Sequence, residues 1–242
     1  MEHINFNTIA KGFIDIWVID IMAINDNMAF FYTLLSNDER IKANRFKFDK
    51  DKKISIVSRG SLRYLIGQYL NLNPTAITFT YGTYGKPQMD GLTALKFNVS
   101  HSKRFIVVGF AYGMDLGVDI EYINNTFNVM DIVDNYFSKA EIKAIAKLAQ
   151  PHERTNAFYR GWSRKEAFIK AKGLGLSLDL HSFSITMDGD ETAELYETHW
   201  NGYEKQDWHI LPFYVHPDYK AAVAVSGEIN GLRIVNFFDV FN

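Results

Sequence analysis

Two carboxylates stand two residues apart in an otherwise apolar segment, Gly117 to Glu121. In an extended chain, residues two apart point to the same face, so Asp119 and Glu121 share a face. Close carboxylates repel each other, a bound cation removes the repulsion, and oxygen ligands suit Mg²⁺. The Asp-x-Glu pattern also fits a strand end whose acids face solvent, so the pair alone leaves both interpretations open.

A second group of charges lies between Trp162 and Lys170, in the segment Trp-Ser-Arg-Lys-Glu-Ala-Phe-Ile-Lys. On a helix, Glu166 and Lys170 lie one turn apart, and Lys165 falls toward the same side. A surface Glu–Lys pair would contribute only about 0.2–0.5 kcal/mol. Because the apolar Trp162 and Ile169 share that side, we expect a half-buried charged stripe, which favours a functional site.

A third group joins Gly85-Lys86-Pro87 to the segment from Asn98 to Ser102. Lys86 stands between a flexible glycine and a rigid proline, while Ser100 and His101 fall at the end of a predicted strand. Lysine, serine and histidine side chains can bind phosphate, although both segments also fit ordinary turns. The first is not a P-loop, because proline replaces the required serine or threonine and the glycine spacing differs.

A basic segment with interleaved phenylalanines lies in the first third of the chain. It fits a phosphate or RNA site, but a solvated helix face accounts for most of its charges. Its basic residues are Arg40, Lys42, Arg45, Lys47, Lys50, Lys52, Lys53 and Arg59.

The composition narrows the class of protein. The chain has 242 residues, 47% hydrophobic, a net charge of -2 and no cysteine. This is enough apolar material for one large domain or two small lobes, and it excludes thiol catalysis and cysteine-bound zinc. Because the net charge is slightly negative, the protein has no overall positive electrostatic field that would attract nucleic acid. We find no signal peptide in the first fourteen residues and no membrane span, so we expect a cytoplasmic protein.

The hydrophobic pattern predicts mixed secondary structure. Helical periodicity covers residues 37–70, 138–149 and 152–172. Strand patterns cover residues 14–24, 76–81, 95–99, 104–112, 117–122, 182–187, 208–215 and 219–226. Each half therefore runs strand, helix, then strands. This predicts an α/β (α+β) protein of two similar lobes, residues 1–115 and 116–242, with the active site in the cleft between them.

The motifs together resemble the Sfp-type 4′-phosphopantetheinyl transferases. The resemblance runs from about residue 36 to residue 184 and depends on the order and spacing of the motifs. These are Gly85-Lys86-Pro87, Phe97 to Ser102, Gly117 to Glu121, Phe137-Ser138, Phe158-Tyr159 with Trp162 to Lys170, and Gly173 with Gly175.

The resemblance implies a fold, an activity and a set of site residues. The fold would be a pair of lobes related by a pseudo-twofold axis. Asp119, Glu121 and Glu166 would bind Mg²⁺. The residues that would contact coenzyme A are Lys42, Lys86, Ser100, His101, Lys165 and Lys170. The catalytic residues would be Glu166, Lys170 and Lys165. At the position three before Lys42, where some members have a basic residue, this chain has Glu39.

The implied activity is transfer of 4′-phosphopantetheine from coenzyme A to a serine of an apo acyl or peptidyl carrier protein, releasing 3′,5′-ADP. The implied partners are the carrier and coenzyme A, with no nucleic acid and no membrane, and we expect a monomer. The alternative is a non-catalytic nucleotide- or RNA-binding module that uses the basic segment. That alternative leaves Asp119, Glu121 and Glu166 unexplained. A member that has lost activity and only binds coenzyme A is a third possibility, against which stands the full set of charged residues.

Overall fold

A computed structural model describes residues 9–24, 27–91 and 93–241 of the chain. The expectation that there is no signal peptide concerns the first fourteen residues, most of which lie outside the described residues. No helix in the described part is long and apolar enough to cross a membrane.

The first lobe is a four-stranded sheet covered on one face by helices. Its strand order is β11-β1-β5-β4, with β11 parallel to β1 and the other pairs antiparallel. A two-stranded hairpin, β2 with β3, lies beside it and carries Lys86 in its turn. The strands are β1 (Phe13–Asp20), β2 (Phe79–Tyr81), β3 (Pro87–Met89), β4 (Leu95–Ser102), β5 (Phe105–Tyr112) and β11 (Gly231–Asn236). The helices are α1 (Met28–Leu34), α2 (Asn37–Asn44) and α3 (Asp49–Leu70).

The second lobe is a three-stranded antiparallel sheet with the long helix α5 across one face. Its strand order is β6-β10-β9, and a small hairpin, β7 with β8, extends the helix-covered side. The strands are β6 (Leu116–Tyr122), β7 (Phe183–Ile185), β8 (Leu195–Thr198), β9 (Trp208–Pro212) and β10 (Tyr219–Ser226). The helices are α4 (Lys139–Ala146) and α5 (Pro151–Lys172).

The two lobes repeat the same pair of helices. The bounds of α2 and α3 are displaced by 102 positions from those of α4 and α5. Both short helices begin with a capping box, in which a serine and the glutamate three residues on satisfy each other's backbone N–H groups. Both long helices end at a left-handed residue, Asn71 and Gly173, whose backbone N–H groups bond back to the last turn. The predicted pseudo-twofold thus has a local basis in the capping chemistry.

Each capping glutamate also receives a basic side chain from the long helix of its lobe. Arg63 Nε lies 2.6 Å from Glu39 Oε2, and Lys165 Nζ lies 2.6 Å from Glu141 Oε2. In both cases the basic residue is 24 positions after the glutamate and also donates to backbone carbonyls. The pairs fasten the short helix to the long one in each lobe.

The lobes meet along β4 and β6, which are edge strands of separate sheets. Side chains of β4 replace the backbone ladder here. Asn98 Oδ1 accepts from the Val118 N–H at 2.9 Å, and Ser102 Oγ accepts from the Tyr122 N–H at 3.0 Å. Behind this seam, apolar side chains of both sheets form one shared core. The seam therefore places the polar side chains of β4 directly against β6.

The mixed α/β fold predicted from the sequence is confirmed, while several element bounds differ. The predicted helix over residues 37–70 is two helices, because the segment between Asn44 and Asp49 turns between them. The pattern of residues 14–24 ends as a strand at Asp20, whose side chain caps a short 3₁₀ turn. Helix α1 and strands β3, β8 and β11 were not predicted. Strand β11 returns to the first sheet, so part of the segment 116–242 belongs structurally to the first lobe.

Candidate active site

Asp119 is the centre of the polar cluster at the seam. Its side chain is buried, and Oδ1 accepts a hydrogen bond from Ser100 Oγ at 2.8 Å and from Lys170 Nζ at 2.6 Å. Lys170 also donates to Ser100 Oγ at 3.0 Å. The second oxygen, Oδ2, is buried and has no hydrogen-bond partner among the described residues. A buried carboxylate oxygen without a partner is costly, which favours a site that binds a ligand.

Glu121 lies two residues further along β6 and faces the same side. Its Oε1 accepts from Trp162 Nε1 at 3.1 Å, and its Oε2 accepts from Ser102 Oγ at 3.3 Å. Burial, followed by the nearby charge of Asp119, raises the pKa of Glu121 to about 7. These neutral donors, Ser102 from β4 and Trp162 from α5, fix the orientation of the carboxyl group.

Glu166 and Lys170 extend from α5 toward the same place. Burial raises the pKa of Glu166, the Lys170 ammonium opposes that shift, and Asp119 adds to it. Both residues line a cleft of about 260 Å³ together with Lys86 and Asn98 of the first lobe. The structure therefore brings Asp119, Glu121, Glu166, Lys170 and Ser100 into one neighbourhood, with side chains from both lobes.

The candidate ligands Asp119, Glu121 and Glu166 are of the type that Mg²⁺ binds. Every candidate ligand atom is a carboxylate oxygen, and Asp119 Oδ2 has no hydrogen-bond partner among the described residues. The charge of Asp119 also raises the pKa values of Glu121 and Glu166, as expected of carboxylates that lie close together. No described group of three or more His, Asp or Glu side chains is already gathered at metal-binding distance. The chemistry of the donors fits a hard cation.

Two predicted phosphate-binding residues lie in a larger cavity of about 400 Å³ on the first lobe. Lys42 of α2, which is exposed, and His101 of β4 line it. Burial of its ring, followed by the Lys170 charge, lowers the pKa of His101, although Asp119 and Asp51 act in the opposite direction. Val99 of β4 lines both this cavity and the cleft, so the two spaces meet along one strand.

Lys86 connects the lobes in this structure. Its Nζ donates to the backbone carbonyls of Leu116 at 2.9 Å and Ala171 at 3.0 Å. Burial lowers the pKa of Lys86 to about 8, while Asp115 opposes that shift. These bonds hold the turn of the β2–β3 hairpin against the start of β6 and the end of α5.

Lys165 does not reach this cluster, which corrects the roles implied for it in cofactor binding and catalysis. Its side chain is completely buried, and Nζ bonds Glu141 Oε2 at 2.6 Å and the Phe183 carbonyl at 2.8 Å. The ring of Phe183 lies 4.2 Å from the same ammonium. Lys165 thus occupies the position of Arg63 in the repeat and fastens α4 to α5.

Sequence reasoning missed several residues that shape the site. Ser102 and Trp162 orient Glu121, and Asn98 joins β4 to β6. The alternation of Asn98, Ser100 and Ser102 along one strand face was the available signal. Arg59, which lines the larger cavity, was considered only as part of the basic segment.

Comparisons with known proteins identify the family of this chain. The 4′-phosphopantetheinyl transferase superfamily matches residues 115–224, and the family described as "4′-phosphopantetheinyl transferase, N-terminal" matches residues 22–111. The 4′-phosphopantetheinyl transferase Sfp of Bacillus subtilis is 34% identical over 81% of this chain and 84% of that protein. The 4′-phosphopantetheinyl transferase HetI of a Nostoc species is 29% identical over 91% of this chain and 90% of that protein.

A mouse protein, L-aminoadipate-semialdehyde dehydrogenase-phosphopantetheinyl transferase, is 25% identical over 78% of this chain and 66% of that protein. The chain belongs to the 4′-phosphopantetheinyl transferase superfamily and is of the Sfp type. It is therefore an enzyme that transfers phosphopantetheine from coenzyme A to carrier proteins.

Proposed function

We propose that the transfer takes place at the seam between β4 and β6, with Mg²⁺ and with the side chains of Asp119, Glu121, Glu166 and Lys170. The observation that supports this most is the buried Oδ2 of Asp119, which finds no hydrogen-bond partner in the part of the chain that the structure describes, although Oδ1 has two. A site that binds a cation supplies the missing partner. The alternative of a non-catalytic RNA-binding module has no corresponding support.

Asp119, Glu121 and Glu166 are the residues that would hold Mg²⁺. A bound Mg²⁺ would neutralise phosphate charge and polarise the reacting phosphoryl group. Before it binds, Lys170 compensates Asp119, at 2.6 Å. This ion pair offsets the cost of burying the Asp119 side chain at the seam.

The remaining chemistry falls to side chains of this chain. The carrier serine oxygen forms a bond to the phosphorus that carries pantetheine, and the bond from that phosphorus to 3′,5′-ADP breaks. Glu166, with a raised pKa and a place in the cleft, accepts the serine proton. Lys170 stabilises the negative charge that develops on the departing 3′,5′-ADP.

The nucleotide half of coenzyme A would occupy the cavity of about 400 Å³ on the first lobe. Lys42 and His101 line that cavity and would contact the nucleotide, and Ser100 lies between the cavity and the carboxylates. Lys86 would contribute chiefly by holding its hairpin turn in place, since its ammonium already has two carbonyl partners. Both lobes would then form one functional unit.

The carrier would dock beside β6, on the segment that follows it. Phe127 is 38% exposed there, whereas the neighbouring Val129 and Val133 are buried. An exposed aromatic ring beside a buried pair fits a docking contact. Phe127→Asp should raise the Michaelis constant for the carrier and leave coenzyme A binding unchanged. We further propose a monomer that acts in the cytoplasm and binds no nucleic acid.

The experiment is a transfer assay on the full chain. The protein is incubated with coenzyme A, Mg²⁺ and a panel of apo-carriers, and the carrier is weighed by mass spectrometry. Asp119→Asn should reduce transfer by ~10²-fold or more, because it removes both a ligand and a charge. Glu194→Gln, at an exposed carboxylate outside the cleft, is the matched control and should have no effect.

A separate part of the transfer assay tests the assignment of Mg²⁺. EDTA should abolish transfer and Mg²⁺ should restore it. Undiminished transfer in EDTA would exclude the metal role, and salt-dependent RNA binding without any transfer would favour the non-catalytic alternative.

A further inference from the structure

The larger cavity has a charge pattern that the proposed function does not explain. Two cations, Lys42 and Arg59, line it together with the carboxylates of Asp38, Glu39 and Asp51. His101 also lines it, but its lowered pKa makes it a poor source of positive charge near neutral pH. A phosphate monoester is close to a dianion at pH 7. If Lys42 were the cation that binds this phosphate, the three carboxylates that line the cavity would outweigh its positive charge.

Glu39 is already committed to structural partners. Its Oε2 accepts from Arg63 Nε at 2.6 Å and from the Ser36 N–H at 2.9 Å. Its Oε1 lies 3.3 Å from Arg59 Nε. Glu39 therefore holds the two arginines of α3 side by side while it caps α2.

The two arginines differ in what they bond. Arg63 is buried and donates to Glu39 and to the carbonyls of Pro74 and Ile77. Arg59 makes an ion-pair contact with Glu39 and lies over the ring of Phe79, but within the described part of the chain its guanidinium donates no hydrogen bond. Its Nη1 is buried and has no hydrogen-bond partner among the described residues. A guanidinium that is mostly buried and has unused donors is a costly arrangement unless a ligand completes it.

The position of Arg59 is fixed before any ligand arrives. Its guanidinium lies 4.8 Å from the ring centre of Phe79, and Glu39 holds its Nε side. The side chain is 21% exposed and lines the cavity beside Ser55 and Ser58. Arginine in such a fixed position binds phosphate oxygens by paired, charge-assisted hydrogen bonds.

We infer that Arg59 is a specificity-determining residue of this cavity. Its guanidinium binds the phosphate monoester of the nucleotide, which is the 3′-phosphate of coenzyme A. The inference rests on the proposed function for the identity of the nucleotide. Glu39, at a position that is basic in some members of the family, here serves to orient Arg59. A cation from α3 is thus added to Lys42, the cation that α2 supplies.

The test is calorimetric binding of coenzyme A and dephospho-coenzyme A to the full chain, without a carrier. Wild type should bind coenzyme A at least tenfold more tightly. Arg59→Met should lose most of that preference through weaker binding of coenzyme A alone, whereas Arg59→Lys should retain part of it. Arg40→Met is the matched control, because Arg40 bonds backbone carbonyls of α1 and does not line the cavity.

A second measurement uses unmodified protein and does not depend on the variants folding. Phenylglyoxal labels accessible arginines, and peptide mass spectrometry reads the labelling of Arg59. Coenzyme A should protect Arg59 and dephospho-coenzyme A should protect it much less.

Equal protection by the two ligands would overturn the inference, as would an unchanged preference in Arg59→Met or no preference in wild type. Binding is measured apart from transfer, so the two proposals can fail separately. A protein that binds coenzyme A through Arg59 but modifies no carrier contradicts the proposed function alone. A protein that transfers normally but ignores the 3′-phosphate contradicts this inference alone.

Discussion

Lys165 and Lys170 lie on the same helix, but their ammonium groups have different surroundings. Lys165 meets Glu141 in the interior, and Lys170 meets Asp119 at the edge of the cleft. Lys165→Met should destabilise the fold by about 3–5 kcal/mol, because it leaves Glu141 charged and unpaired in the core. Lys170→Met should destabilise the fold less, because this ammonium is 28% exposed at the edge of the cleft, and should reduce single-turnover transfer by about a hundredfold or more. Denaturant unfolding and rapid-quench transfer measure the two effects, and the opposite result would restore Lys165 to the site.

Glu121 gives the metal-free protein a particular pH dependence. Its pKa is raised from 4.5 to about 7 in the folded state, so between these values the folded protein binds the extra proton. Stability from this group is therefore present below pH 4.5 and lost as pH rises through 7. In EDTA, the melting temperature of wild type should fall relative to Glu121→Gln between pH 5 and pH 7.5, and Mg²⁺ should reverse the fall. Parallel curves for the two proteins would contradict the raised pKa.

The same residues show what a sequence can and cannot predict at this scale. The pattern of Asp119, Glu121 and Glu166 predicted neighbouring side chains, because strand and helix periodicity fix which side chains share a face, and their role as metal ligands stays a prediction. Lys165 was misplaced because five residues correspond to about 140° around a helix, so Lys165 and Lys170 cannot both point into one narrow cleft. The competing partner, Glu141, is distant in sequence, and no local pattern indicates it.

At the scale of elements, the site depends on how closely α5 approaches β6. Gly117 makes this approach possible: a Cβ at this position would collide with the carbonyl oxygen of Ala167 and the backbone nitrogen of Ala171. Gly117→Ala should push the helix away from the strand, lower the melting temperature by several degrees and displace Glu166 and Lys170 from Asp119. Transfer should fall more than stability does.

Gly202→Ala is the matched control for this prediction. A Cβ there meets no atom within 4 Å, and the residue has no left-handed backbone angle. The control should resemble wild type in both melting and transfer. Wild-type transfer in Gly117→Ala would mean that the helix can retreat without disturbing the chemistry.

Element bounds were predicted best where capping chemistry is local. Ser36 and Glu39 mark the start of α2, and Gly173 ends α5, as their residue types indicate. Strand β11 was missed because its place depends on pairing with β1, more than two hundred residues earlier. Such a register follows from the assembled sheet and has no signal in the segment itself.

At the scale of the whole molecule, the end of the chain completes the first lobe. Phe237 follows β11, is fully buried, and packs on Trp17, Phe31 and Tyr64. Phe237→Ala should cost about 3–5 kcal/mol of unfolding free energy through the cavity that it leaves. Hydrogen exchange should show lost protection in β1 and α3 before β6 and β10. Uniform loss across both lobes would indicate that they unfold as one unit.

The repeated helices also bear on stoichiometry. With the displacement of 102 positions that relates α3 to α5, Tyr64 is the equivalent of Glu166 and Gln68 is the equivalent of Lys170. In the first lobe, the place of the acid is thus taken by an aromatic ring that packs on Phe237 and Phe241. Only one of the two duplicated helices carries the reactive pair. A molecule built from two like halves is therefore asymmetric in its chemistry, and a titration with coenzyme A should saturate at one equivalent per chain.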